Sequence, residues 1–373
     1  MGGRAAGDNW GNVCLLREKL IELTSLASGK AKHTTALEDE ESVQFNTQQG
    51  SKVRTKLLAS LLTTVFIVAV SSAHASTEAL AQANNALQAG QADTALALLQ
   101  PQPSSAQVHN LRCRVFFTLE QWDAAASECQ QAVNLEEHDS DFHLWLGRAL
   151  GEKADHAWFG SAFSLAKRAR MEFEEAVRLN SQNAAALADL GEFYYEAPAV
   201  VGGGAEKADE VAFQLDRVDP ERAHELRGRI AESRKDYATA ERELKQALAV
   251  SKHPAFRWMT LASFYSRRER WDDMNIALKT GRKAAQSDPQ SAVALYNGAS
   301  MLAKFKIDLS LAAQMFRDYL ASSSKNEDAP AFVANTRLAL VEMSLGDPAA
   351  AQRERAAALA LAHNYRPAVD LRF

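Results

Sequence analysis

GRIAESRKDYATAERELKQALAV, residues 228–250, reads as two helical stretches broken at Lys235-Asp236. Behind the break, Ala240, Leu244 and Ala247 fall at i, i+4 and i+7, which is one face of a helix. Gly228 stands on the stretch ahead of it. Two antiparallel helices joined by a short turn approach closely only where side chains are small. Gly228 therefore faces Ala240, and Leu244 one turn later fills the remaining gap. One such pair cannot bury its apolar face alone, so pairs of this kind must stack.

The same arrangement recurs on both sides with a period of about 34 residues. Small-residue pairs at Leu146-Gly147, Leu190-Gly191, Arg227-Gly228, Leu261-Ala262, Asn297-Gly298 and Leu338-Ala339 each sit in a helix-like stretch. Each is followed, past a turn, by a small residue and then an apolar one. Cys113, Ala125, Cys129 and Ala132 form one such unit. Gly191, Ala208 and Ala212, closed by Pro220, form another. The third unit is enlarged by EKADHAWFGSAFSLAKRAR (152–170), placed between its helices or extending them. The first and last units are the least regular, as terminal units of a stack should be.

This pattern resembles the tetratricopeptide repeat family, in its exported bacterial form. The carrying residues are Trp145-Leu146-Gly147, Leu187 with Leu190-Gly191-Glu192-Phe193-Tyr194, Trp258 with Leu261-Ala262 and Tyr265, and the closing Pro220 and Pro289. The resemblance implies an all-α fold: a right-handed superhelical solenoid of antiparallel helix pairs, about eight units over residues 76–373.

Composition agrees with helix. Alanine and leucine are abundant, while 18 glycines and 9 prolines are few for 373 residues. A formal net charge of −5 gives no basic footprint for nucleic acid. The N-terminal part differs. Residues 1–51 show no sustained periodicity and read as disordered or as a misassigned start. Residues 52–75 read as a signal peptide: basic KVRTK, uncharged LLASLLTTVFIVAV (57–70), then Ala73-His74-Ala75. Fourteen residues span about 21 Å as a helix, short of a bilayer's hydrocarbon core. Export to the periplasm with cleavage after Ala75, and no stable membrane span, is the expectation; an uncleaved inner-membrane tether is the alternative.

Gly202-Gly203-Gly204 raises the question of a phosphate cradle. A Walker loop needs Lys and then Ser or Thr after its last glycine, at a strand-to-helix junction. Here Ala205-Glu206-Lys207-Ala208 follows a helical stretch, so APAVVGGGA (197–205) reads as an enlarged turn begun by Pro198. Cys113 and Cys129 occupy facing positions of the second unit. They form a disulfide in an oxidising compartment or stay buried free thiols. His138, Asp139, Asp141, His143, Asp155 and His156 crowd one junction, but without convergent ligand spacing they read as turn and cap residues, and no metal is expected. No GxSxG, HExxH or CxxC motif occurs after residue 75. Neither enzyme activity nor a cofactor is expected.

The resemblance implies a concave face lined by first helices that binds partner segments. Matched onto that face are Arg148, Glu192, Tyr195, Arg229, Ser263 and Arg267. Three arginines there favour acidic segments. The family's chaperone-tail clamp is not matched. The implied role is a non-enzymatic protein–protein interaction scaffold of the bacterial envelope. The alternative is a small-ligand-binding accessory protein with a pocket at the enlarged third and fourth units.

Overall fold

Helix follows helix along the computed structural model, which describes residues 77–372. The two N-terminal segments discussed above lie outside the described residues. Residues 77–88 (α1) pair with Ala92–Leu99 (α2), Ala106–Thr118 (α3) with Trp122–Leu135 (α4), and Ser140–His156 (α5) with Phe159–Leu179 (α6). Ala184–Glu196 (α7) pairs with Ala205–Leu215 (α8), and Pro220–Ser233 (α9) with Tyr237–Val250 (α10). Pro254–Arg267 (α11) pairs with Trp271–Ser287 (α12), Ala292–Phe305 (α13) with Leu309–Ala321 (α14), and Ala331–Leu345 (α15) with Pro348–Leu361 (α16). A short helix, Arg366–Val369 (α17), ends the array. There is no strand among the described residues. The fold is thus the expected all-α array of helix pairs. The enlarged third unit is made by lengthening both helices, to 17 and 21 residues.

The small-against-large packing read from the sequence is present. A Cβ added at Gly228 would sit 2.8 Å from Leu244 Cδ2, and one at Gly147 would sit 2.6 Å from Phe173 Cε1. Ala240, Leu244 and Ala247 are all buried. Leu244 by itself removes enough apolar surface from water to contribute about 1.5–3 kcal/mol.

One turn recurs in six of the pairs. Gly90, Glu120, Lys235, Glu269, Lys306 and Gly346 each take a left-handed φ, between 54° and 83°. The next residue then donates its N–H to a carbonyl five positions back, as in Gln121 to Phe116, Asp236 to Ala231 and Arg270 to Tyr265. This 6→1 closure satisfies carbonyls left open at the end of the first helix. The third pair, joined through Ala157 and Trp158, and the fourth, with its long connection 197–204, lack it.

The array curls until its ends meet. One apolar core runs through the middle of the chain, from Ala106 to Ile230. The other joins Ala83, Leu87 and Leu99 of the first pair to Phe332, Val341 and Tyr365 of the last. Polar contacts tie the same ends. His363 donates its N–H to Asp93 Oδ2 at 2.8 Å, and Glu327 receives Arg114. Tyr365 donates to Glu120 Oε1 at 2.8 Å. The terminal units, the least regular in the sequence, are not left as open ends. They cover each other instead, because their apolar faces are in reach once the chain has curled round.

Candidate functional site

The first helices α5, α7, α9 and α11 carry the residues expected on the partner-binding face. Five of the six come together as one strip. The Tyr195 hydroxyl lies 3.5 Å from Glu192 Oε1. Burial beside Glu196 and Glu192 holds that hydroxyl well above its ordinary range, against the pull of Arg229. Arg267 reaches Glu232 with two hydrogen bonds of 2.8 Å and Ser263 Oγ with a third of 2.6 Å. Burial opposes the charge on Glu232, yet Arg267, Arg229 and Arg268 together hold its carboxyl below the usual range. Glu232, which the sequence did not single out, is therefore the anion on which the strip converges.

Arg148 is a correction. Its side chain is only 6% exposed, it pairs with buried Asp189, and its guanidinium lies 4.9 Å from the Trp145 ring. Arg114 lies on the same ring at 5.4 Å. Further along, buried Arg257 pairs with Glu221 and Glu225. The tight curl presses neighbouring first helices together and turns these charges inward, so Arg148 is a wall residue and not an open contact.

The open feature lies beside the strip. A cleft of about 540 Å³ runs along the turns of the fifth and sixth pairs, lined by Tyr237, Phe264, Arg267, Arg268 and Arg270 with Glu241. The arginines differ in what they already hold. Arg267 is committed to Glu232. Arg270 donates to Glu241 at 2.5 Å and to Asp273 at 2.7 Å. Burial opposes the charge on Glu241, but bonds from Arg270, Lys245 and Tyr265 bring it down to about 2. Arg268 stacks on Tyr237, 4.2 Å from the ring centroid, and its Nε has no hydrogen-bond partner; Glu232 lies 4.0 Å away. A guanidinium held flat on an aromatic ring with spare donors is suited to a carboxylate. The run Arg267-Arg268-Glu269-Arg270 was visible in the sequence, but nothing there said which arginine would be left uncommitted.

The N–H groups of the glycine cluster are turned onto the protein's own carbonyls. Gly202, Gly203 and Gly204 donate their N–H groups to Ala199, Pro198 and Tyr194 carbonyls at 2.9, 3.2 and 2.8 Å. A Cβ at Gly203 would stand 1.7 Å from the Ala197 carbonyl oxygen, so the glycine serves a turn folded back on α7. Cys113 and Cys129 face each other across the second pair with sulfurs at bonding distance and a Cα separation of 5.2 Å. The histidine-rich junction is spread among separate duties. Asp139 caps α5, His143 bonds Glu172 at 2.6 Å, and His156 stacks on Trp122. No group of ligands that could hold a metal is present among the described residues. Neither the cleft nor a second cavity at the meeting of the chain ends is lined by the third or fourth unit, so the pocket expected there finds no support. No described helix is long and apolar enough to cross a membrane.

No family model matches the chain, and no curated protein matches it. Solved structures do. A thermophilic tetratricopeptide repeat protein of Thermus thermophilus is 17% identical over 51% of this chain and 98% of its own, with a TM-score of 0.44. A tetratricopeptide repeat protein of Parabacteroides merdae is 14% identical over 71% and 96%, with a TM-score of 0.36. PilF of Pseudomonas aeruginosa is 13% identical over 71% and 95%, with a TM-score of 0.35. The chain's own repeated helix pairs, small-residue contacts and recurrent turn make its fold an all-α array of stacked helix pairs.

Proposed function

We propose that the chain is a non-enzymatic interaction scaffold, exported to the periplasm, that holds an acidic segment of a partner protein in the cleft of the fifth and sixth pairs. The observation that carries this reading is Arg268. It is stacked on Tyr237 at the edge of an open cleft; its Nε is buried 4.0 Å from Glu232, while its terminal Nη groups make no hydrogen bond among the described residues. Arg229, Ser263 and Arg267 extend the same surface toward Tyr195 and Glu192. Their charges are already engaged, so they shape the approach and Arg268 supplies the free donors. Export is supported by the apolar stretch 57–70 ahead of Ala73-His74-Ala75, and by a cysteine pair placed to be oxidised.

The test is capture from an envelope fraction by wild type and by Arg268→Glu, followed by binding of a labelled Glu-rich peptide from the captured partner. Loss of capture and of peptide binding in the variant, with an unchanged melting temperature, supports the assignment. Equal recovery by both proteins counts against it. N-terminal sequencing of the exported protein tests cleavage after Ala75.

A further inference from the structure

A second cavity, of about 350 Å³, lies where the array closes on itself. Its walls come from both ends of the chain. The turn after α1 contributes Ala89 and Gln91, and the last two pairs contribute Leu320, Lys325, Asn335 and Leu361 around the first turn of α15. Gly90 is what lets the ends approach so closely. Its φ is +69°, and a Cβ there would lie 2.2 Å from the Ala331 nitrogen. Any side chain would force the first pair away from α15.

Three features of this cavity are those of an anion site. Asn335 is 6% exposed and lines the cavity, and its carboxamide has no hydrogen-bond partner among the described residues. The residue as a whole is buried, and its carboxamide is left to the space of the cavity. Lys325 uses one ammonium donor on the Ser322 carbonyl and keeps the others, and burial holds its pKa below the usual range. Finally, α15 begins after Pro330, which gives no side-chain cap to the N–H groups of the first turn, and Ala331 of that turn also lines the cavity. The acidic groups near the seam are already engaged. Glu327 is held by Arg114 and Asp93 by His363. Leu320 and Leu361 supply an apolar wall.

We propose that this seam cavity binds a carboxylate carrying a short aliphatic chain. Lys325, the Asn335 carboxamide and the first turn of α15 receive the carboxylate, and Leu320 and Leu361 receive the chain. Because the walls belong to the first pair and to the last two with the loop between them, the bound acid ties the array shut. The chemistry is shared by a free short-chain acid and by a glutamate side chain of a peptide.

The test uses 4-methylpentanoate, its primary amide, and N-acetylglutamate methylamide, each at about 1–10 mM and constant ionic strength. Thermal unfolding and calorimetry are run on the wild type, Lys325→Met and Asn335→Leu. The expected result is a saturable rise in melting temperature with the acid and none with its neutral amide. Binding should be at least about tenfold weaker in Lys325→Met. Hydrogen exchange should slow at residues 86–91 and 331–336 together when the acid is bound. Binding by 4-methylpentanoate alone identifies a free acid, and binding by the glutamate derivative identifies a peptide side chain; either upholds the site. No saturable shift with either carboxylate, an equal shift with the amide, or unchanged affinity in Lys325→Met overturns it. Lys325 lies in a connecting loop, so that variant keeps the test decisive should Asn335→Leu fail to fold. The site is separate from the Arg268 cleft, and Arg268→Glu should leave acid binding unaltered.

Discussion

Arg114 donates two hydrogen bonds, of 2.9 and 2.8 Å, to the carboxylate of Glu327, 213 residues further along the chain. The same guanidinium reaches Asn84 at 3.2 Å, and the Glu327 N–H reaches Gln88 at 3.3 Å. Their side chains are 17% and 10% exposed, so each charge depends on the other. Glu327→Gln should cost roughly 2 kcal/mol, because it leaves Arg114 largely desolvated beside a neutral group. Hydrogen exchange should speed up at residues 77–91 and 326–335 together while residues 184–215 stay protected. A change confined to one end would show that the ends are not coupled.

Arg148 and Asp189 form a pair sealed in the wall. Replacing Asp189 with Ala should destabilise by about 3–5 kcal/mol, since a buried guanidinium then loses its partner. The double variant Arg148→Met, Asp189→Leu should recover most of that loss in urea unfolding. If Arg148→Met weakened partner capture with stability intact, Arg148 would be a contact residue after all.

Glu152 is 4% exposed and its Oε2 has no partner. Burial, with the nearby Glu120 charge, pushes its pKa up to about 8. The native protein thus keeps a proton that the unfolded chain gives up at ordinary glutamate pKa. Stability must fall as pH rises from about 4.5 to 8, by roughly 4 kcal/mol over the window. Glu152→Gln should remove that fall, matching wild type near pH 4.5 and exceeding it at pH 8. Parallel stability curves for the two proteins would refute the assignment.

The Cys113–Cys129 bridge closes a loop of 16 residues in sequence separation. Oxidation should stabilise by about 3 kcal/mol relative to the reduced chain. Denatured protein purified without reductant should show no free thiol at these positions. Two free thiols would mean that the pair acts only as small apolar filling.

Lys235 sits in the left-handed turn at φ 63°, exposed, where two other pairs place glycine. Lys235→Gly should relieve the clash of Cβ with the backbone and raise stability by about 0.5 kcal/mol. Lys235→Val should lower it; the reverse order in thermal unfolding would argue against this turn geometry.

The pairing of helices was legible because it is local. Gly228, Ala240 and Leu244 meet through one short turn, and their spacing alone places them on facing sides. Pro198 and the three glycines were legible as an enlarged turn for the same reason, since motif context and backbone freedom act within a few residues. The facing of Cys113 and Cys129 followed from the unit in which they stand. Arg148, matched to an open face, was not legible as buried, because its exposure depends on Asp189, which reaches it from the next first helix. Neither was the freedom of Arg268, which follows from Glu232 and Glu241 having been taken by its neighbours.

What the amino-acid sequence determined by itself was the unit: a helical hairpin whose small residues admit a neighbour and whose apolar face demands one. What only the tertiary structure decided was that the last hairpin returns to the first. Each pair turns slightly relative to the one before, and the meeting of Gly90 with Ala331 depends on the sum of all those rotations. No local pattern records a sum. Closure buries Tyr365, joins Arg114 to Glu327 and encloses Asn335, and all three follow from a curl to which every pair contributes.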